Sequence, residues 1–144
     1  MKPKVFVDTS AWYALTDADD TNHHTASEFL EQALTDYQSL VTTNHIIGET
    51  YTLLRFRLGH SQAIEFINRL RQSHRIEKLF ISQRWEEEAY GLLEKYYDQD
   101  FSFIDATSFT AMRSSGIKEV FAFDQHFVVA GFILVPQQKK SRKR

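Results

Sequence analysis

The stretch Lys4-Val5-Phe6-Val7-Asp8-Thr9-Ser10 constrains this chain more than any other. Three apolar residues in succession, with no polar alternation, suit a strand buried on both faces, as in a parallel sheet covered by helices. The run breaks off in a carboxylate and two hydroxyls, so Asp8 falls where the strand leaves the sheet. In open α/β sheets ligand chemistry collects beyond the carboxyl ends of the strands, which makes Asp8 a candidate site residue. Aspartate is equally suited to capping the helix that follows, and Asp8 by itself does not separate the two roles.

The remainder of the chain repeats this alternation. A short helix is expected from Ser10 to Leu15. Ala26, Phe29, Leu30, Ala33, Leu34 and Tyr37 then recur at helical spacing from a start near Asn22. A second strand is expected over 40–43, and Asn44 is the expected N-cap of a helix reaching about Leu58. That helix has apolar residues on more than one side (Ile47, Tyr51, Leu54 and Leu58; Ile46, Leu53 and Phe56), which predicts a buried helix with Glu49 among them. Gly59 ends it. Ser61 is expected to cap a helix that turns Ala63, Ile67 and Leu70 inward. A third strand follows over 76–81, and Ser82 caps a helix with Trp85, Ala89, Leu92, Leu93 and Tyr96 inward as core. Ser102 opens a helix to about Ser115 with Asp105, Phe109 and Met112 on one face. A fourth strand over 119–123 runs straight into Asp124, and a fifth spans 132–135. Strands alternating with helices predict a three-layer α/β/α domain with a central parallel sheet of about five strands.

The 144 residues fit one domain at about 100–200 residues each. The expected domain spans 1–136, with 137–144 a basic, disordered tail. The apolar share of 42 %, including 12 Phe, suffices for a core without staples. The absence of cysteine excludes disulfides and thiolate metal sites. No apolar run approaches the roughly 18 residues that cross a bilayer, and the chain enters its first strand without a signal peptide, so a cytoplasmic location is expected. The net charge of −2 is unevenly spread: Lys139, Lys140, Arg142, Lys143 and Arg144 leave 12 basic against 19 acidic residues for the body. An acidic body with a basic end suits a protein that holds cations and touches a polyanion. The basic stretch containing Arg55, Arg57, Arg69, Arg71, Arg75 and Lys78 reads first as a solvated face, and second as a surface for phosphates.

Four acids share a setting. Asp8 and Asp124 each follow an apolar strand, while Glu49 and Asp105 lie early in helices among apolar neighbours. Parallel strands finish on one edge, so all four are expected at one rim. Clustered carboxylates raise one another's pKa values and are tolerated when a hard divalent cation neutralises them, with oxygen ligands favouring Mg²⁺ or Mn²⁺. Such ions polarise a phosphodiester and acidify an attacking water; Thr9 or Ser10 is placed to hydrogen-bond an aspartate. Each acid also has a plainer role: Asp105 in a capping box with Ser102, Asp124 as a turn acid, Glu49 as a partner of His45. His23, His24 and His45 are left unassigned as surface or capping groups.

The set Val7-Asp8-Thr9-Ser10, Glu49, Phe103-Ile104-Asp105-Ala106 and Phe121-Ala122-Phe123-Asp124-Gln125-His126-Phe127, with His23 and Ala26 in the second helix, resembles the PIN-domain nucleases and, within them, VapC-like toxins. The resemblance covers Val5 to Pro136. It implies a five-stranded parallel sheet, Mg²⁺- or Mn²⁺-dependent cleavage of RNA, homodimers and an inhibiting antitoxin partner. It also implies Asp8, Glu49, Asp105 and Asp124 as metal-site residues, with Ser10 in support and Thr9 beside it. The continuation Asp105-Ala106-Thr107-Ser108 departs from the family pattern and draws attention to Thr107. The expectation is therefore a metal-dependent endoribonuclease and toxin. The alternatives are a housekeeping PIN nuclease, or a non-catalytic RNA-binding scaffold that uses the basic tail.

Overall fold

The structure, a computed structural model, describes residues 1–137. Five strands, β1 (Val5–Val7), β2 (Leu40–Thr43), β3 (Ile76–Leu79), β4 (Glu119–Phe121) and β5 (Ile133–Val135), form one sheet in the order β3-β2-β1-β4-β5. Every neighbouring pair is parallel. The helices are α1 (Thr9–Thr16), α2 (His23–Asp36), α3 (Asn44–Arg57), α4 (His60–Gln72), α5 (Gln83–Lys95), α6 (Phe103–Ser114) and the short α7 (His126–Val129). This is the expected α/β/α architecture. Val5, Phe6 and Val7 are wholly buried at the centre of the sheet.

The strand order locates the chemistry. From β1 the chain builds outward through β2 to β3, then returns to lay β4 on the other side of β1 and β5 beyond it. The direction of building thus reverses between β1 and β4, and the crevice beyond the carboxyl ends of two such strands is where α/β sheets bind ligands. Asp8 follows β1 and Asp124 lies just beyond β4. The Asp8 backbone N–H donates to the Phe121 carbonyl at 3.1 Å, stitching the two strand ends together.

Several local expectations are corrected. Thr43, not Asn44, caps α3: its hydroxyl accepts from the Ile46 N–H at 3.1 Å, while the Asn44 side-chain carbonyl accepts from the Ile81 N–H at 2.8 Å. That second bond lies outside the strand ladder, and β3 stops at Leu79 rather than at Ile81. The N-cap of α4 is Gly59 at φ +100°, a backbone region that favours glycine, rather than Ser61. The helix α3 is not buried all round. Ile46, Thr50 and Leu54 form one inward stripe at i, i+4 and i+8, whereas Phe56 is 85 % exposed. On α5 only Ala89 is buried; Trp85, Leu92, Leu93 and Tyr96 are half-covered at the edge of the core. The fourth strand closes at Phe121 because the Phe123 N–H turns away to a side chain of α1. The six basic residues from Arg55 to Lys78 are all exposed, as a solvated face requires. Of the expected basic tail, all but Gln137 lies outside the described residues. No described helix is long and apolar enough to cross a membrane.

Candidate metal centre

The centre is assembled at the switch between β1 and β4. Asp8 is only 6 % exposed, and it is the N-cap of α1 as well as a candidate site carboxylate. Its Oδ2 accepts from the Ser10 N–H at 3.2 Å and from the Ser10 hydroxyl at 2.8 Å. The Ser10 Oγ in turn accepts from the Phe123 N–H at 3.0 Å. Ser10 therefore clips the segment carrying Asp124 to the segment carrying Asp8. Burial is the largest influence on Asp8 and drives its pKa up from 3.8 to about 7, against the lowering effect of the two Ser10 hydrogen bonds. The charges of Asp105 and Asp124 push in the same upward direction as burial, so the three carboxylates share one field.

Asp105 is 8 % exposed at the start of α6. Ser102 and Asp105 form a reciprocal capping box, with Asp105 N–H donating to Ser102 Oγ at 2.9 Å and Ser102 N–H donating to Asp105 Oδ2 at 3.0 Å. The same Oδ2 lies 2.8 Å from His126 Nδ1, which leaves Oδ1 without a hydrogen-bond partner among the described residues. Asp124 Oδ1 accepts from the His126 N–H at 2.9 Å, an Asx-type turn that opens α7, and lies 3.5 Å from His126 Nδ1. Ligand-capable atoms of Asp105, Asp124 and His126 all lie within 4.8 Å of one another.

His126 joins the candidate group although the sequence did not single it out as a site residue. Partial burial works against its charged form, but the Asp105 hydrogen bond and the nearby charges of Asp124, Asp105 and Asp100 outweigh it and raise its pKa. The signal was present in Asp124-Gln125-His126, a histidine two residues past an acid at a strand end. It was obscured because α7, with four residues, is too short to show any helical period.

Glu49 stands apart from this group. It lies half-buried on α3 and makes no hydrogen bond or ion pair among the described residues. Its neighbour Thr50 donates to the Thr9 hydroxyl at 3.1 Å, both side chains being buried, so the Glu49 turn is fastened beside Asp8. His45 does not pair with Glu49; its Nδ1 lies 3.3 Å from the Thr107 hydroxyl, which also donates to the Ile104 carbonyl at 3.1 Å. Thr107 is wholly buried and ties α3 to the start of α6.

The donor set fits a hard divalent cation. Two carboxylates and one imidazole converge, with the Asp8 carboxylate near enough to feel both aspartates; no thiol is present, and Asp8 is disfavoured as an anion chiefly by its burial and further by those two charges.

The PIN-domain family model matches residues 5–133. The chain is 39 % identical over 131 residues to the 23S rRNA-specific endonuclease VapC20 of Mycobacterium tuberculosis, covering 91 % of this chain and 97 % of that protein. The crystal structure of that VapC20, described as a sarcin-ricin loop cleaving toxin, superposes with a TM-score of 0.84 over 90 % of this chain and 96 % of that one. Two more distant structures share the fold alone. VapBC2 of Rickettsia felis, bound to a promoter DNA fragment, has a TM-score of 0.69 at 11 % identity, covering 91 % of this chain and 96 % of that one. FitAcB of Neisseria gonorrhoeae has 0.64 at 12 % identity, covering 90 % and 95 %. The chain belongs to the PIN-domain family of metal-dependent nucleases.

Proposed function

We propose that this protein is the toxin of a toxin–antitoxin pair and that it hydrolyses a phosphodiester bond in the sarcin-ricin loop of 23S rRNA with Mg²⁺ or Mn²⁺. The observation that carries this reading is the cluster of Asp105, Asp124 and His126, with the buried Asp8 in the field of both aspartates, at the switch between β1 and β4, on a scaffold similar over nearly its whole length to an rRNA endonuclease.

Asp8, Asp105 and Asp124 would hold the ion, with Glu49 completing the acidic rim. When bound, a divalent cation supplies charge neutralisation, polarisation of the phosphodiester and acidification of water. The protein's own groups prepare that chemistry. Ser10 fixes the Asp8 carboxylate through two hydrogen bonds and couples it to Phe123. Ser102 fixes Asp105 through the capping box, and His126 bridges Asp105 and Asp124. The imidazole is placed to share a proton with Asp105, with the Asp124 carboxylate 3.5 Å away. An antitoxin has a candidate surface in the apolar groove of about 610 Å³ lined by Leu15, Leu30, Leu34, Phe66 and Leu70, with Arg69 and Arg75 also along it.

Incubation of purified protein with ribosomes, followed by mapping of 23S rRNA 5′ ends, tests the reading. One Mn²⁺-dependent cut in the sarcin-ricin loop is expected, lost in Asp8→Asn and on chelation. Cleavage that persists unchanged in Asp8→Asn would reject the assignment of the site.

A further inference from the structure

Two phenylalanines flank Ser102, the cap beside Asp105, and they are used differently. Phe101 turns inward, its ring meeting Phe109 at 5.0 Å, His126 at 5.4 Å and Tyr96 at 5.5 Å, all edge-on. Phe103, the first residue of α6, remains 38 % exposed. Its ring lies 5.8 Å from that of His45 on α3, tilted by 31°, and 5.9 Å from that of Tyr90 on α5, tilted by 44°. The polar ends of both neighbours are held, His45 Nδ1 near the Thr107 hydroxyl and the Tyr90 hydroxyl donating to Glu86 at 2.7 Å. Three helices thus each contribute a ring to a half-open aromatic surface, and two of those rings are more than a third exposed. Phe103 and Tyr90 thus keep open ring surface, and Phe103 lies two residues before Asp105 on α6.

Resting on the ribonuclease reading above, we propose that His45, Phe103 and Tyr90 form a stacking surface that receives an unpaired base of the substrate RNA, next to the phosphodiester presented to Asp8, Asp105 and Asp124. Proteins that read RNA sequence do so mainly in loops, where splayed bases stack on aromatic side chains. The surface adjoins the start of α6, whose positive end favours the neighbouring phosphate. The rings supply area and orientation, and they move no proton.

The test combines kinetics with a signal from uncut RNA. Wild type, Phe103→Leu and Phe103→Tyr are compared on a sarcin-ricin-loop oligoribonucleotide in Mn²⁺. Phe103→Leu keeps apolar bulk but removes the ring, and is expected to raise KM about tenfold, the scale of one base–aromatic stack, with little change in kcat; Phe103→Tyr restores KM. In the Asp8→Asn background, 2-aminopurine placed at each loop position in turn should be quenched on binding at one position. That quenching should vanish with Phe103→Leu and return with Phe103→Tyr. Unchanged KM and quenching in Phe103→Leu would overturn the proposal. So would a Phe103→Leu effect confined to the sedimentation mass, which would mark a contact between copies of the chain. Phe103-dependent quenching without any cleavage by wild type would sink the nuclease reading and leave the stacking surface standing.

Discussion

Asp8 shows how one side chain carries both of the roles its position suggests. It caps α1 and, like Asp105, is a buried acid of the group, so a structural duty and a chemical one are compatible in it. The consequence for stability follows from its pKa, raised by burial from 3.8 to about 7. Between those values the folded chain keeps the Asp8 proton while the unfolded chain releases it, so stability without metal falls as pH rises through that window, by up to about 1.4 kcal/mol per pH unit. In chelator, the melting temperature of wild type should drop from pH 5 to pH 8 more steeply than that of Asp8→Asn, and at pH 8 the variant should be the more stable although inactive. Parallel melting curves would show that Asp8 is not strained as an anion. Ser10→Ala removes the hydroxyl that serves both Asp8 and the Phe123 N–H, and leaving such partners unsatisfied costs about 1–3 kcal/mol. Denaturant unfolding should read that loss, with cleavage reduced as well. Asp8 and Ser10 were legible from the strand that precedes them. His126 was not, since its role depends on Asp105, 21 residues away in sequence.

At the scale of elements, α6 is the part on which the centre turns. Its face is buried from Asp105 to Met112, and its capping box gives Asp105 a structural duty beside its chemical one. Ser102→Ala should cost about 1 kcal/mol of stability and loosen Asp105, measurable as weaker Mn²⁺ binding. Asp105→Asn can still accept the Ser102 N–H bond, so its unfolding free energy should fall little while cleavage is lost; equal losses in both would assign Asp105 to the fold alone. The start of α6 was legible because Ser-x-x-Asp is a local pattern. The start of α3 was misplaced by one residue because Thr43 and Asn44 offer adjacent capping groups, and that of α4 because Gly59 takes the cap position by its backbone at φ +100° without a capping side chain. Only tertiary demand, the Ile81 N–H in the case of Asn44, separates Thr43 from Asn44. Phe56 was misjudged for a related reason: helical period gives the faces of α3, but not which face the sheet covers.

For the whole molecule, the decisive fact is the order β3-β2-β1-β4-β5. Periodicity predicts strands and helices, and their alternation predicts a parallel sheet, but the pairing of β4 with β1 requires contacts across more than a hundred residues. That pairing, joined by the bond from Phe123 to Ser10, brings the first and last acids of the chain to one crevice. Glu49 stays apart from them; only its neighbour Thr50 is fastened to Thr9, beside Asp8. A ligand bound only by the folded chain stabilises it, by about 2.7 kcal/mol at a hundred times its Kd. Mn²⁺ should therefore raise the melting temperature of wild type, but not of Asp8→Asn or Asp124→Asn, and chelation should reverse the effect. The most direct test is an anomalous difference map from crystals of the wild-type protein grown with Mn²⁺. One or two peaks bonded to carboxylate oxygens of Asp8, Asp105 and Asp124 are expected; a map with no peak there, or with manganese bound only elsewhere, would contradict the assignment of this crevice as the metal centre.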